Sequence, residues 1–263
     1  MKAQADSNKK AQQSGIRQPR RTVAFAIVLL GLALVAVALW GIWPDWQDDL
    51  EARREYAGLR EEFTPPMDMS HLSDINPDFV AWIMIPGTRV SYPVVQGADN
   101  AKYLQTTFLG KHNPAGAIFM DYRIMAPFVA PVNMIYGHNM RDGSMFAALN
   151  GYLDTGFLSE HSEVIVYTLG GEVLHYQIFE ARRISAQDPV FSLDFNDPDS
   201  LKHFDIPDKL VAIAENDTVG FVDTADFAGK GDENILVLST CSDGQSNIDR
   251  NNARVVVFAV RLN

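Results

Sequence analysis

Residues 233–262 read ENILVLSTCSDGQSNIDRNNARVVVFAVRL, two apolar runs rich in β-branched residues with one polar loop between them. Each run is short and dense in Val, Ile and Leu, which is how a strand covered on both faces reads. The same texture recurs upstream at 79–85, 90–95, 116–120, 132–137, 163–169 and 172–184. Gly170-Gly171, between the last two runs, is a two-residue hairpin signal. Short helical insertions are expected at 100–106, 144–150 and 207–215, with Pro207 suited to the first turn of the last. About eight strands with short helical connections predict a mainly β fold, a closed or nearly closed barrel.

A different composition precedes the strands. From Val23 to Trp43 the chain carries no charge. At 1.5 Å per residue such a run spans a hydrocarbon core of roughly 30 Å. Lys2, Lys9, Lys10, Arg17, Arg20 and Arg21 precede it against Asp6 alone, so residues 1–21 carry +5 of a total of −11 and the remainder carries −16. Basic residues before the run and Asp45, Asp48, Asp49 and Glu51 after it orient the following domain outward. The expected order is a cytoplasmic basic tail (1–21), a transmembrane signal anchor (22–43), a helical linker (44–70) and a β-barrel catalytic domain (71–263). The localisation expected from this order is single-pass at the cell membrane, with the barrel extracellular. Ala36-Val37-Ala38 also resembles a cleavage site, so a removed signal peptide is the rival reading. An exported domain this acidic repels phosphate backbones and argues against nucleic acid as a partner.

The chain has a single cysteine, Cys241, which excludes an internal disulfide and thiolate-rich zinc sites. A lone cysteine is as a rule a small buried apolar group. Cys241 differs in standing where a buried strand meets the polar loop SDGQSN, the place a nucleophile needs. A thiol requires a base or cation nearby to react. Of six histidines, His138 ends an apolar strand and opens a polar turn. His175 lies within a strand and His161 precedes one, positions typical of packing or surface groups. If 242–252 is a hairpin loop, Arg254 opens the next strand beside Cys241 and can face a developing oxyanion. A surface strand charge like Arg261 is the plain alternative. Papain-like enzymes place Cys before His and caspases carry another local signature, so neither fits. Asp194, Asp197 and Asp199 lack the glycine and closing glutamate of a calcium loop. No cofactor and no metal are expected.

Three separated blocks resemble the sortase family, class B in particular. Leu238-Ser239-Thr240-Cys241 with Arg254 opening the next strand is similar to the cysteine signature. Ile135-Tyr136-Gly137-His138-Asn139-Met140 with Gly143-Ser144-Met145-Phe146 is similar to the histidine segment. Trp82-Ile83, Ile85-Pro86-Gly87-Thr88, Tyr92-Pro93-Val94-Val95-Gln96 and Asp99-Asn100 continue the likeness, as does Tyr152 to Tyr167. It covers roughly residues 75–262. The resemblance implies an eight-stranded barrel and a cysteine transpeptidase that cleaves a C-terminal sorting signal of a secreted protein. The thioester on Cys241 then passes to a peptidoglycan-precursor amine. By position, Cys241 is the nucleophile, His138 the general acid and then base, and Arg254 the oxyanion group, with Arg250 as a fallback because the loop is long. Asn100, Leu104, Tyr136 and Ser239 match groove positions, and Asp243 a possible orienting acid. A pilin-polymerising sortase, an inactive membrane-tethered peptide-binding barrel and a hydrolase using water alone are the alternatives.

Overall fold

The structure is a computed structural model that describes residues 19–63, 69–204, 213–215, 218–220, 234–241 and 253–262. The chain divides into two units, Met1–Gln47 and Asp48–Asn263. Helix α1 runs Pro19–Glu62. Along its first half the side chains described at 24–38 are all exposed, among them Phe25, Leu30 and Val37. Among the described residues, no helix is long and apolar enough to cross a membrane.

Ten strands make one sheet: β1 (Phe79–Met84), β2 (Ser91–Val95), β3 (Ile118–Met120), β4 (Val132–His138), β5 (Glu163–Thr168), β6 (Val173–Ser185), β7 (Ile213–Glu215), β8 (Thr218–Gly220), β9 (Ile235–Cys241) and β10 (Ala253–Arg261). Their order is β10-β9-β4-β3-β2-β1-β5-β6, and pairing of β10 with β6 closes these eight into a ring. The eight runs expected from sequence are these eight barrel strands. Two pairings, β2–β3 and β4–β9, are parallel. Parallel neighbours are covered on both faces, so β4 and β9 read as continuous apolar runs, while β5 alternates buried and half-buried positions. Trp82, Phe119, Tyr176 and Phe258 fill the core with the Val and Leu side chains of β9 and β10. Short helices α2 (Ser70–Ile75) and α3 (Thr155–Glu160) lie in the connections, with short 3-10 segments at Lys102–Leu104, Ala147–Leu153, Pro189–Ser192 and Pro198–His203.

Two local expectations are corrected. The β5–β6 turn holds three residues, because Glu172 still pairs with Thr168, and Gly171 takes the left-handed conformation at φ 86°. The expected helix at 207–215 is not continuous, since Ile213–Glu215 is strand β7; residues 207–212 lie outside the described residues. There β7 pairs with β8, and β8 pairs with β6, so tertiary pairing overrides the helical pattern.

The unit beginning at Asp48 includes the last turns of α1. Ala52, Tyr56, Leu59 and Phe63 are buried there, on the helical spacing that the Asp48–Phe63 stretch presents. Glu55 accepts from the Leu109 amide at 3.0 Å, and Lys111 pairs with Glu51 at 2.8 Å.

Candidate active site

Strands β4 and β9 run parallel in register from Val132 beside Ile235 to His138 beside Cys241. On the other side of β9, β10 runs antiparallel with Val256 opposite Ser239. The paired ladder ends there, and continuing its count by two positions brings Arg254 level with Cys241. Three neighbouring strands therefore bring His138, Cys241 and Arg254 into one row, and positions paired across a ladder share a face of the pleat. The approach of β4 needs Gly137: a Cβ there would lie 2.4 Å from Ile118 Cδ1 and 2.7 Å from Phe146 Cγ.

Thr240 fastens the end of the β9–β10 ladder. The Val255 amide donates to Thr240 Oγ1 at 3.1 Å, and Arg254 Nη1 donates to the Thr240 carbonyl at 3.3 Å. The Arg254 guanidinium lies 5.7 Å from the centre of the Phe191 ring.

His138 is buried, and its Nε2 is 2.7 Å from the Leu104 carbonyl. A carbonyl only accepts, so Nε2 carries the proton. The turn after His138 is tightly built. Asn139 and Met145 form a bridge, and the Phe146 amide returns to the His138 carbonyl at 2.9 Å. Met145 holds a left-handed backbone at φ 54° while its amide donates to the Tyr92 hydroxyl at 2.9 Å. Asp142 caps this turn through the Ser144 amide and hydroxyl. Burial pushes the Asp142 carboxyl upward, but hydrogen bonds from Ser144 and the nearby Arg53 charge outweigh it and hold the pKa below the ordinary carboxylate value.

Two of the remaining positions matched by resemblance, Asn100 and Tyr136, meet at a buried acid that sequence reasoning missed. Asp121, just past β3, is wholly enclosed. Its Oδ2 accepts from Asn100 Nδ2 at 2.9 Å, the Tyr136 hydroxyl at 3.0 Å and Arg123 Nη2 at 2.8 Å. Its Oδ1 accepts from the Arg123 amide and Nε. Burial raises this carboxyl's pKa, but the Arg123 and Asn100 hydrogen bonds and the Arg123 charge more than offset that, and the net shift is downward. Arg123 Nη2 also donates to the Phe191 carbonyl at 3.0 Å, and the Phe191 ring stacks on Tyr136 at 6.5 Å. Arg254, Phe191, Tyr136, Asp121 and Asn100 thus form a connected line away from the row. The only trace in sequence was a charged Asp-Tyr-Arg closing an apolar run, which does not say what it binds.

Leu104 reaches the site through its carbonyl. Ser239 is fully enclosed, with its hydroxyl 3.3 Å from the Thr240 carbonyl, so it presents no surface of its own. Asp243 and Arg250 lie outside the described residues. The discounted histidines stand apart: His175 pairs with Glu163 at 2.6 Å, and His161 sits on the Pro86 carbonyl at 3.1 Å. Asp194 and Asp197 bond backbone amides of their own loop.

An imidazole, a cysteine position and a guanidinium in one row are the groups that acyl transfer through a thioester requires. Comparison with known proteins points the same way. A family model described as the sortase domain matches residues 83–262. Sortase B of Staphylococcus aureus is 28% identical over 250 residues, covering 91% of this chain and 97% of that protein. Sortase B of Listeria monocytogenes is 33% identical over 174 residues, covering 66% of this chain and 67% of that one. A solved Staphylococcus aureus sortase B-substrate complex superimposes with a TM-score of 0.65 at 27% identity, over 82% of this chain and 98% of the other.

Proposed function

The chain belongs to the sortase family and is class B-like, and from that premise we propose how its row of residues works. It is a cysteine transpeptidase that anchors surface proteins to the cell wall. Sorting-signal proteins are its substrates and a peptidoglycan amine is its acceptor.

In the proposed cycle the Cys241 thiolate attacks the scissile carbonyl of the sorting signal, forming a C–S bond and a tetrahedral oxyanion. Arg254 faces that oxyanion, its guanidinium supplying charge and donors where negative charge develops. Protonated His138 gives a proton from Nδ1 to the departing amine as the C–N bond breaks, leaving a thioester. The acceptor amine then attacks the thioester, His138 Nδ1 takes its proton, and the Cys241 thiolate leaves. The bond from Nε2–H to the Leu104 carbonyl supports this assignment, because it leaves Nδ1 for both transfers.

Asn100, Leu104 and Tyr136 are proposed to belong to the peptide groove, with Asp121 fixing the orientation of Asn100 and Tyr136, whereas the matched Ser239 is enclosed and is proposed only to back the groove from within β9. Asp243 is retained as an orienting acid. Residues 22–43 are proposed to anchor the chain as a single span, with the barrel extracellular. The uncharged run and the exposed apolar side chains at 24–38 support that reading.

The pairing of His138 with Cys241, together with the Arg254 bond to the carbonyl of Thr240 just before it, carries the proposal. Its test is mass spectrometry of the full chain in detergent with a panel of sorting-signal peptides and an amine. An acyl adduct on Cys241 that moves to the amine is expected, and it should vanish in Cys241→Ala and His138→Ala. Peptide cleavage that persists in Cys241→Ala would sink the assignment.

A further inference from the structure

The last turns of α1 reach both segments that hold His138. Tyr56 is buried, and its hydroxyl donates to the Gly116 carbonyl at 2.7 Å and receives the Phe108 amide at 3.3 Å. Burial, and then the neighbouring Glu55 charge, push its pKa well above the ordinary phenol value, so this hydroxyl stays a neutral donor. Gly116 in turn is pressed against the carbonyl that holds the imidazole. It sits at φ 56°, and a Cβ on it would lie 2.4 Å from the Tyr103 oxygen and 2.8 Å from the Leu104 oxygen. The adjacent Ala117 amide bonds the Tyr103 carbonyl at 3.0 Å. Tyr56, Gly116, Leu104 and His138 Nε2 are therefore linked in series with no slack, each step a hydrogen bond or a contact too close for a methyl group.

A second linkage arrives from the other side. Arg53 forms an ion pair with Asp142, whose side chain caps the turn that follows His138. Arg89 Nη1 donates to the Asp142 carbonyl at 2.9 Å. The Tyr56 ring packs edge-on against Tyr92 at 5.3 Å, Tyr92 holds the Met145 amide, and Arg60 lies 5.3 Å over the Tyr92 ring. One helix face thus grips the acceptor of His138 Nε2 and the return of the chain behind it.

We propose that Tyr56 and Arg53 of α1 are positioning residues for His138, so that the helix entering the barrel domain sets the imidazole's tautomer and aim. This rests on the reading of His138 as the proton-transfer group. A hydrogen bond to a fixed carbonyl selects the Nε2–H tautomer only while that carbonyl stays in place. Releasing Gly116 lets Leu104 shift, and Nδ1 then loses its place as the exchanging nitrogen.

The test uses the full chain in detergent with Tyr56→Phe, which keeps the ring and removes the donor. We expect kcat for peptide cleavage to fall about tenfold with KM within about twofold, the pattern of misplaced proton transfer rather than lost binding. The 15N signals of the His138 imidazole should move away from a pure Nε2–H tautomer, a change that mere loss of stability would not produce. Arg53→Ala, at a half-exposed side chain that folding tolerates, should lower kcat in the same sense and decides the matter if Tyr56→Phe does not fold. Unchanged kcat and unchanged imidazole signals in the folded variants would overturn the proposal. Activity surviving in His138→Ala would instead overturn the role of His138 itself.

Discussion

Asp121 holds a negative charge where none of its surface meets water, and it is kept there by four donor groups from three parts of the chain. Removing that charge leaves the Arg123 guanidinium without its partner, and breaking such a pair costs more than the pair contributes. Asp121→Asn is expected to lower unfolding free energy by about 2–3 kcal/mol, measured by urea titration. The pH dependence has a definite sign. The folded pKa is depressed, so the stability that Asp121 contributes is complete above the unfolded carboxylate value of about 4 and is lost as pH falls through the folded value. Urea midpoints measured from pH 6 downward should therefore fall more steeply in the native chain than in Asp121→Asn. Cys241, His138 and Arg254 were legible as residues because each marks a strand end, where an apolar run stops. Asp121 was not, because its meaning lies in Asn100 and Tyr136, which other elements bring to it.

Strands announce themselves in this sequence, but the ends of their ladders do not. At the last rung of β9 and β10 a side chain replaces a carbonyl: Thr240 Oγ1 takes the Val255 amide, and the Thr240 carbonyl is left to accept from Arg254. Thr240→Val keeps the shape and removes the acceptor. It should leave a buried amide unsatisfied at a cost of about 1–3 kcal/mol and loosen the guanidinium beside Cys241. A lower melting temperature together with a lower kcat is the expected outcome, read by thermal denaturation and peptide cleavage. Leu-x-Thr-Cys gave the threonine a place in a motif without giving it this task. The β7–β8 pair shows the opposite failure. Its three-residue strands are too short for periodicity to separate from a helical pattern, and their pairing with β6 is decided by a strand some forty positions earlier.

At the scale of the molecule, the strand number and the place of the site were legible, whereas the closure of β10 on β6 and the parallel match of β4 with β9 were not. Those pairings join residues far apart in the chain, and no local pattern encodes their register. The uncharged run before the barrel is equally legible and leads to a plain experiment. The full chain should stay with membranes through alkaline carbonate extraction, and a chain starting at residue 44 should be released. Release of the full chain would remove the proposed anchor. The parallel β4–β9 match has a consequence for timing. His138 and Cys241 meet only after about a hundred intervening residues have been folded over, and contacts of such long range form late because chain closure must come first. Until then the cysteine has no imidazole beside it and lacks the base that would draw off its proton. Full reactivity is a property that the chain acquires on completing its ring, so an immature copy is expected to take an acyl group from a sorting signal only slowly.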